Sequence, residues 1–461
     1  MTYDLLGFAL VAVVALAAGN ALAGWRRNPF PRNLVMAGVV LHIAGSVARL
    51  EMMQYFYGGV ADANRYYHVG MAFARRAWDF DLRMFSPVYW FGGPESWWGT
   101  PFMEKLAGLV LTFIGPTRRG AFLVFAMLAF LGLYWIALAL YRTNPGRAAV
   151  RFASWVWFWP SLLFWPSSLG KESVTLFAVG LTTLGYVGRR GRISWVPFLA
   201  GLGIAFALRP HVAGALALAS AGAYWFQSWT RPSPRRIAEA VAAAGLSLLV
   251  LSGMSAQLGF EPDLEGVQEY IDHRSDFTVR GGSQLEGVPS GPAAIPMAFV
   301  NIWMRPFLWE AHNVMALISA VELSLLWILA WRYRRRLRQA LAGWWSDRLL
   351  AFAVPLLFGY TTMIGLTFAN MGIIARQRSP IFPFIMLLFL GGGRALLARR
   401  QWSTARRVPV RPRSGPGRPG MPAPTGPGHR RRQLAHDASG RPAGAPADSA
   451  PAGRDPEGAP T

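Results

Sequence analysis

The chain has 461 residues, 53% of them hydrophobic and only 15% charged, where soluble domains carry about 25% charged residues. Apolar stretches long enough to cross a bilayer recur along it, which excludes a soluble globular domain, and the short alternating strands of an outer-membrane barrel are absent. The net charge of +23 does not point to nucleic acid, because the arginines fall in short clusters between apolar runs and in the tail. With no cysteine there is no disulfide, no thiolate chemistry and no Cys-ligated metal.

In chain order the hydropathy pattern predicts an all-α polytopic membrane protein with eleven spans. They lie at 3–24, 34–54, 120–141, 152–168, 172–188, 194–208, 211–229, 237–255, 313–331, 349–369 and 380–398. The residues before the first span lack the basic flank of a secretory signal, so a retained helix is expected. Arg26, Arg27 and Arg32, then Arg142, Arg147 and Arg151, then Arg189, Arg190 and Arg192 follow alternate spans. Arg231, Arg235 and Arg236 and the run from Arg332 to Arg338 continue the series. All fall on one side if the N-terminus is outside and the C-terminus cytoplasmic, the orientation expected of a multi-pass protein of the plasma (inner) membrane.

Two long segments are then outside, 55–119 and 256–312. The first holds an amphipathic stretch from Asp62 to Asp81, Gly- and Trp-rich turns from Trp90 to Gly99, and a short apolar run at 102–116. Glu104, Lys105 and its shortness make that run a re-entrant or interfacial helix. The second holds acidic residues, a Gly-rich stretch and an apolar piece from Ala293 to Leu308, of the kind that lies flat at an interface. Residues 1–400 form the helical domain. Residues 401–461 are Pro, Gly, Ala and Arg without periodicity, a disordered tail whose arginines suit anionic lipid head groups.

Charged residues accompanied by turn residues gather at the outer ends of the spans. Asp62 opens a run (DANRYY) in which it is either a helix cap or a general base, with Arg65 and Tyr66 as substrate contacts. Lys171 and Glu172 open a helix after a tight turn, where backbone N–H groups and the ammonium favour an anion. Glu172 is the second candidate catalytic carboxylate, and with Asp62 it could hold a divalent cation, although the many fixed cations make one unnecessary. Arg209 and His211 occupy another outer turn, suited to phosphate and to proton transfer. Arg305 and Glu310 flank a turn and are placed either to pair with each other or to touch substrate. Glu322 sits inside a span, where a carboxylate implies an inward-facing or network role. Arg376 and Arg378, outside against the positive-inside trend, are placed to clasp a pyrophosphate. Trp97, Trp98, Trp155, Trp157, Trp159 and Trp165 read as an aromatic belt, with stacking on a sugar as the alternative. No P-loop, nucleophile elbow, zinc-protease or dinucleotide fingerprint stands in a fitting context.

This layout resembles the GT-C superfamily of integral-membrane glycosyltransferases, which use polyprenyl-phosphate-linked sugars. The run from Asp62 to Tyr67 is similar to that superfamily's acidic first outer loop, whose carboxylate acts as base. Arg376 and Arg378 resemble its late basic phosphate site. The segments Trp165–Glu172 (WPSSLGKE) and Arg305–Glu310 (RPFLWE) are also similar to polytopic proteins of exopolysaccharide assembly, polymerases among them. The chain departs from the GT-C pattern in placing its acidic loop after the second span and in carrying no large soluble domain after the last. The resemblance implies transfer of a sugar from a polyprenyl-(pyro)phosphate carrier to a hydroxyl of a glycan or lipid acceptor. A flippase for such lipids and a scaffold acting through the basic tail are the competing classes.

Overall fold

The computed structural model describes residues 2–56, 58–59, 61–81, 98–189, 192–230, 232–261, 263–278 and 293–390. The expected turns from Trp90 to Trp97, the Gly-rich part of the second outer segment, the end of the last span and the tail at 401–461 lie outside these residues. Among them there is no strand, only isolated bridge residues such as Arg189 with Arg192. The helices, in order, are α1 (Thr2–Gly24), α2 (Arg32–Tyr55), α3 (Asp62–Trp78), α4 (Thr100–Ile114), α5 (Arg118–Thr143) and α6 (Arg147–Phe158). Next come α7 (Pro160–Phe164), α8 (Lys171–Val187), α9 (Trp195–Leu208), α10 (Pro210–Thr230), α11 (Pro234–Leu258) and α12 (Leu264–Thr278). The last are α13 (Ala294–Trp303), α14 (Val314–Arg332), α15 (Arg334–Ala342), α16 (Arg348–Thr367), α17 (Met371–Gln377) and α18 (Phe382–Leu390).

Six of these, α1, α2, α5, α11, α14 and α16, are long and apolar enough to cross a membrane. The chain is an α-helical, multi-pass membrane protein. Leu5, Leu6, Leu10, Val13 and Val14 on α1, and Leu317, Ile318, Val321, Leu325 and Ile328 on α14, are exposed. Apolar residues facing outward in such number suit a lipid solvent. By contrast α5 is apolar all round and interior, with Phe122, Leu123, Phe125, Phe130 and Leu133 buried.

The interior is drawn together by glycine. In hydrocarbon there is little hydrophobic drive between helices, so close backbone approach and packing carry association. A Cβ on Gly180 of α8 would lie 2.2 Å from the Gly132 carbonyl oxygen of α5, and one on Gly132 would lie 2.4 Å from the Leu176 carbonyl oxygen. On the other side of α8, a Cβ on Gly185 would meet the Phe198 nitrogen of α9 at 2.3 Å. Helix α8 is therefore clamped between α5 and α9. A second close pair joins α3 to α4, where a Cβ on Gly70 would meet the Gly108 nitrogen at 2.9 Å. At 15 residues α4 is only about 22 Å long, short of a bilayer core, and it lies along α3.

Three expectations change. The span expected at 152–168 is broken at Trp159, whose ψ of 128 is extended. Pro160 lacks an N–H, disfavours a helical residue before it and starts α7 afresh. The break turns the tryptophans inward, so three of the four here are not a belt. Trp157 is fully buried against Phe30, Phe130 and Tyr134, and Trp159 and Trp165 are also buried. Asp62 is not a cap either: Ala61 holds that position and Asp62 is the first helical residue, its charge in the favourable first turn of α3.

Candidate functional site

A cavity of about 1250 Å³ opens where several helix ends meet, larger than the 300–1,000 Å³ typical of small-ligand pockets. Each wall is a turn or helix end whose conformation follows from local sequence. Gly170, in extended backbone, ends the α7–α8 turn and places Lys171 and Glu172 in the first turn of α8. Pro210 begins α10 and holds Arg209 out of helical geometry at φ −149, ψ 86, with His211 following. Gly99, at φ +68, donates its N–H to the Ala207 carbonyl (2.7 Å), which ties the start of α4 to the end of α9. Asn370 caps α17 by accepting from Gly372 N (2.9 Å) and Ile373 N (3.2 Å), which fixes the start of the helix that carries Arg376. Asp62 and Tyr66 enter from α3, Arg49 from α2, and Tyr270, His273 and Arg274 from α12.

Seven of the sequence-predicted residues thus share one cavity: Asp62, Tyr66, Lys171, Glu172, Arg209, His211 and Arg376. Glu172 pairs with Arg209 at 2.9 Å, both largely shielded from solvent. The pair keeps Glu172 a carboxylate and fixes the guanidinium. Lys171 Nζ donates to Thr100 Oγ1 at 2.8 Å. Burial and the neighbouring Arg209 push its ammonium down to about 8, against the opposing pull of Glu172 and Asp62. Tyr66 is buried, and burial with the Asp62 and Glu172 charges raises its phenol far above the usual range. Arg376 lies over the Trp165 ring at 5.4 Å, and Arg49 lies over the same ring at 5.0 Å. Asp62 is exposed at the rim and makes no hydrogen bond or ion pair with any described residue. Buried polar atoms on the wall, Arg209 Nη1, Arg376 Nε and His211 Nε2 among them, have no hydrogen-bond partner among the described residues. Buried donors left open are costly unless a ligand or water takes them.

No protein-family model matches this chain, nor does any curated protein or solved structure.

Four predicted residues lie elsewhere. Arg65 reaches Glu104 at 2.6 Å on the α3–α4 pair and does not line the cavity. Arg305 and Glu310 pair with each other at 2.6 Å, and Glu310 also accepts from Phe307 N at 2.9 Å, so they pin their turn. Arg378 does not join Arg376 in a clasp. It is buried, donating to the Ile302 carbonyl at 3.0 Å and to Ser319 Oγ. The segment is helical, so residues two apart point about 200° from each other, where an extended turn would have aligned them. Glu322 accepts from Ser161 N at 2.7 Å and from Ser161 Oγ, a network role inside the bundle. Asp62 and Glu172 both line the cavity, but among the described residues no group of three or more His, Asp or Glu could hold a metal ion.

Sequence reasoning placed no site at Arg49, Thr100 or Arg274. Arg49, inside the expected span at 34–54 with Glu51 two residues on, carried the usual signal of a functional intramembrane charge. Arg274 sits among acidic and polar residues of α12 and carried none.

Proposed function

We propose that this chain is a GT-C-like membrane glycosyltransferase with about eleven spans, its N-terminus outside. It moves a sugar from a polyprenyl-(pyro)phosphate carrier to a hydroxyl acceptor at the outer face, in cell-envelope or exopolysaccharide assembly. The observation that carries this reading is the convergence of Asp62, Lys171, Glu172, Arg209, His211 and Arg376 on one cavity from turns spread along most of the chain. The acceptor hydroxyl attacks the anomeric carbon and gives its proton to Asp62. The bond from that carbon to the phosphate oxygen breaks, and the oxygen keeps the electron pair. Charge then grows on the leaving phosphate, where Lys171, Arg209 and Arg376 are already in place, the electrostatic contribution that usually dominates such catalysis. Asp62 suits the base because its carboxylate is unengaged among the described residues, whereas Glu172 is committed to orienting Arg209.

The test uses purified protein in liposomes supplied with polyprenyl-phosphate-linked sugars, following release of the carrier phosphate. Wild-type release, reduced about 10²–10⁴-fold in Asp62→Asn, is expected. Intact labelled lipid crossing the bilayer with no release would replace the enzyme by a flippase.

A further inference from the structure

The apolar lining of the cavity differs from wall to wall. Met53, Phe122, Leu169 and Leu208 line it from within the packed bundle, and all four are buried. On the side of α9 and α11 the lining is Phe206, Gly253, Ala256 and Leu258, none of them buried among the described residues. Helix α10 packs against both α9 and α11. The two meet where the Phe206 ring lies on bare backbone, so that a Cβ on Gly253 would stand 2.9 Å from Phe206 Cζ. One ring against one glycine closes this seam, and a change of Phe206 rotamer opens it.

Beyond the seam all three helices turn apolar side chains outward: Val196 and Leu199 on α9, Leu218 on α10, Leu248 and Leu249 on α11 are exposed. Phe206 lies two residues from the end of α9 and Gly253 five from the end of α11. At 1.5 Å of rise per residue those are depths of about 3 and about 8 Å, within one leaflet of a hydrocarbon core about 30 Å thick. Trp98, exposed on the cavity lining, packs edge-on against Phe206 with centroids 5.6 Å apart, and tryptophan favours the head-group level. The seam thus connects a cavity that holds Lys171 and Arg209 sideways with lipid-facing helix surface. A small soluble anion has no use for such a wall; a ligand with a charged head and a long apolar chain does.

We infer that the α9–α11 seam at Phe206 and Gly253 is the subsite for the carrier's isoprenyl chain, which leaves the cavity sideways into the bilayer while its phosphate stays by Lys171 and Arg209. The inference rests on the reading that the cavity binds a lipid-phosphate donor, and adds where the lipid lies.

The experiment uses the full chain in nanodiscs and farnesyl monophosphate with a photoreactive diazirine on its last isoprene unit. After illumination the labelled peptides are mapped by mass spectrometry, with and without excess unlabelled farnesyl monophosphate. Displaceable label on α9 or α11 is expected. Displaceable label confined to other helices overturns the seam and leaves the glycosyltransferase reading standing. No displaceable label anywhere overturns both. A second measurement compares binding of farnesyl monophosphate and methyl phosphate to the Gly253→Leu variant, whose side chain fills the seam. Farnesyl monophosphate should weaken about tenfold, the worth of about two buried methylene groups, and methyl phosphate little. Unchanged farnesyl monophosphate binding, or an equal loss for both ligands, overturns the seam. The wild-type label map decides even if the variant does not fold.

Discussion

Asp62 and Glu172 show how two identical functional groups on one wall acquire different duties. Glu172 is locked to Arg209 at 2.9 Å, while Asp62 stays exposed and unengaged among the described residues. Lys171 has its own signature. Its ammonium is held down at about 8, so the cation is present below that pH and lost as pH rises through it. On the proposed reading, kcat/KM for the free protein should therefore fall above about pH 8, by roughly tenfold per pH unit if the charge is required. Lys171→Arg should remove that limb, because a guanidinium stays charged beyond pH 12; a limb unchanged in the variant would assign it to another group. The residue types and their gathering at span ends were legible in the sequence. Side-chain direction was not: Arg376 and Arg378 differ by two positions, and only one reaches the cavity.

At the scale of elements, glycine decides how closely the helices approach. Gly180→Ala would drive a Cβ into the Gly132 carbonyl of α5, backbone against backbone, and should cost about 1–3 kcal/mol. Gly203→Ala on α9 meets nothing within 4 Å and should be neutral or slightly stabilising. Thermal unfolding in detergent compares the two, and equal midpoints would remove the clamp from the account. Helix positions followed from the apolar runs, so α1, α2, α5, α11 and α16 fall where hydropathy put them. The break at Trp159 was overlooked because a run of apolar residues looks continuous to a hydropathy window, although Pro160 already signalled it.

For the whole molecule, orientation is open to a direct test because the chain has no cysteine to remove first. His68→Cys on α3 and Arg335→Cys on α15 introduce single thiols at exposed positions. In intact cells an impermeant thiol reagent should label the first, and the second only after permeabilisation; the reverse pattern would invert the topology. That the charged turns share a side could be read from arginine placement along the chain. That they close around one space could not, since it depends on how α8, α9 and α17 pack. The last wall of that space, Phe368 to Gln377, is also near the end of the described fold. During synthesis Asp62, Lys171 and Arg209 reach the membrane long before Arg376 does. A half-made chain thus has its carboxylates and first cations but not the wall that completes the cavity. On the proposed reading, chemistry in the cavity waits for the segment that carries Arg376, and a shorter nascent chain stays inert toward the lipids around it.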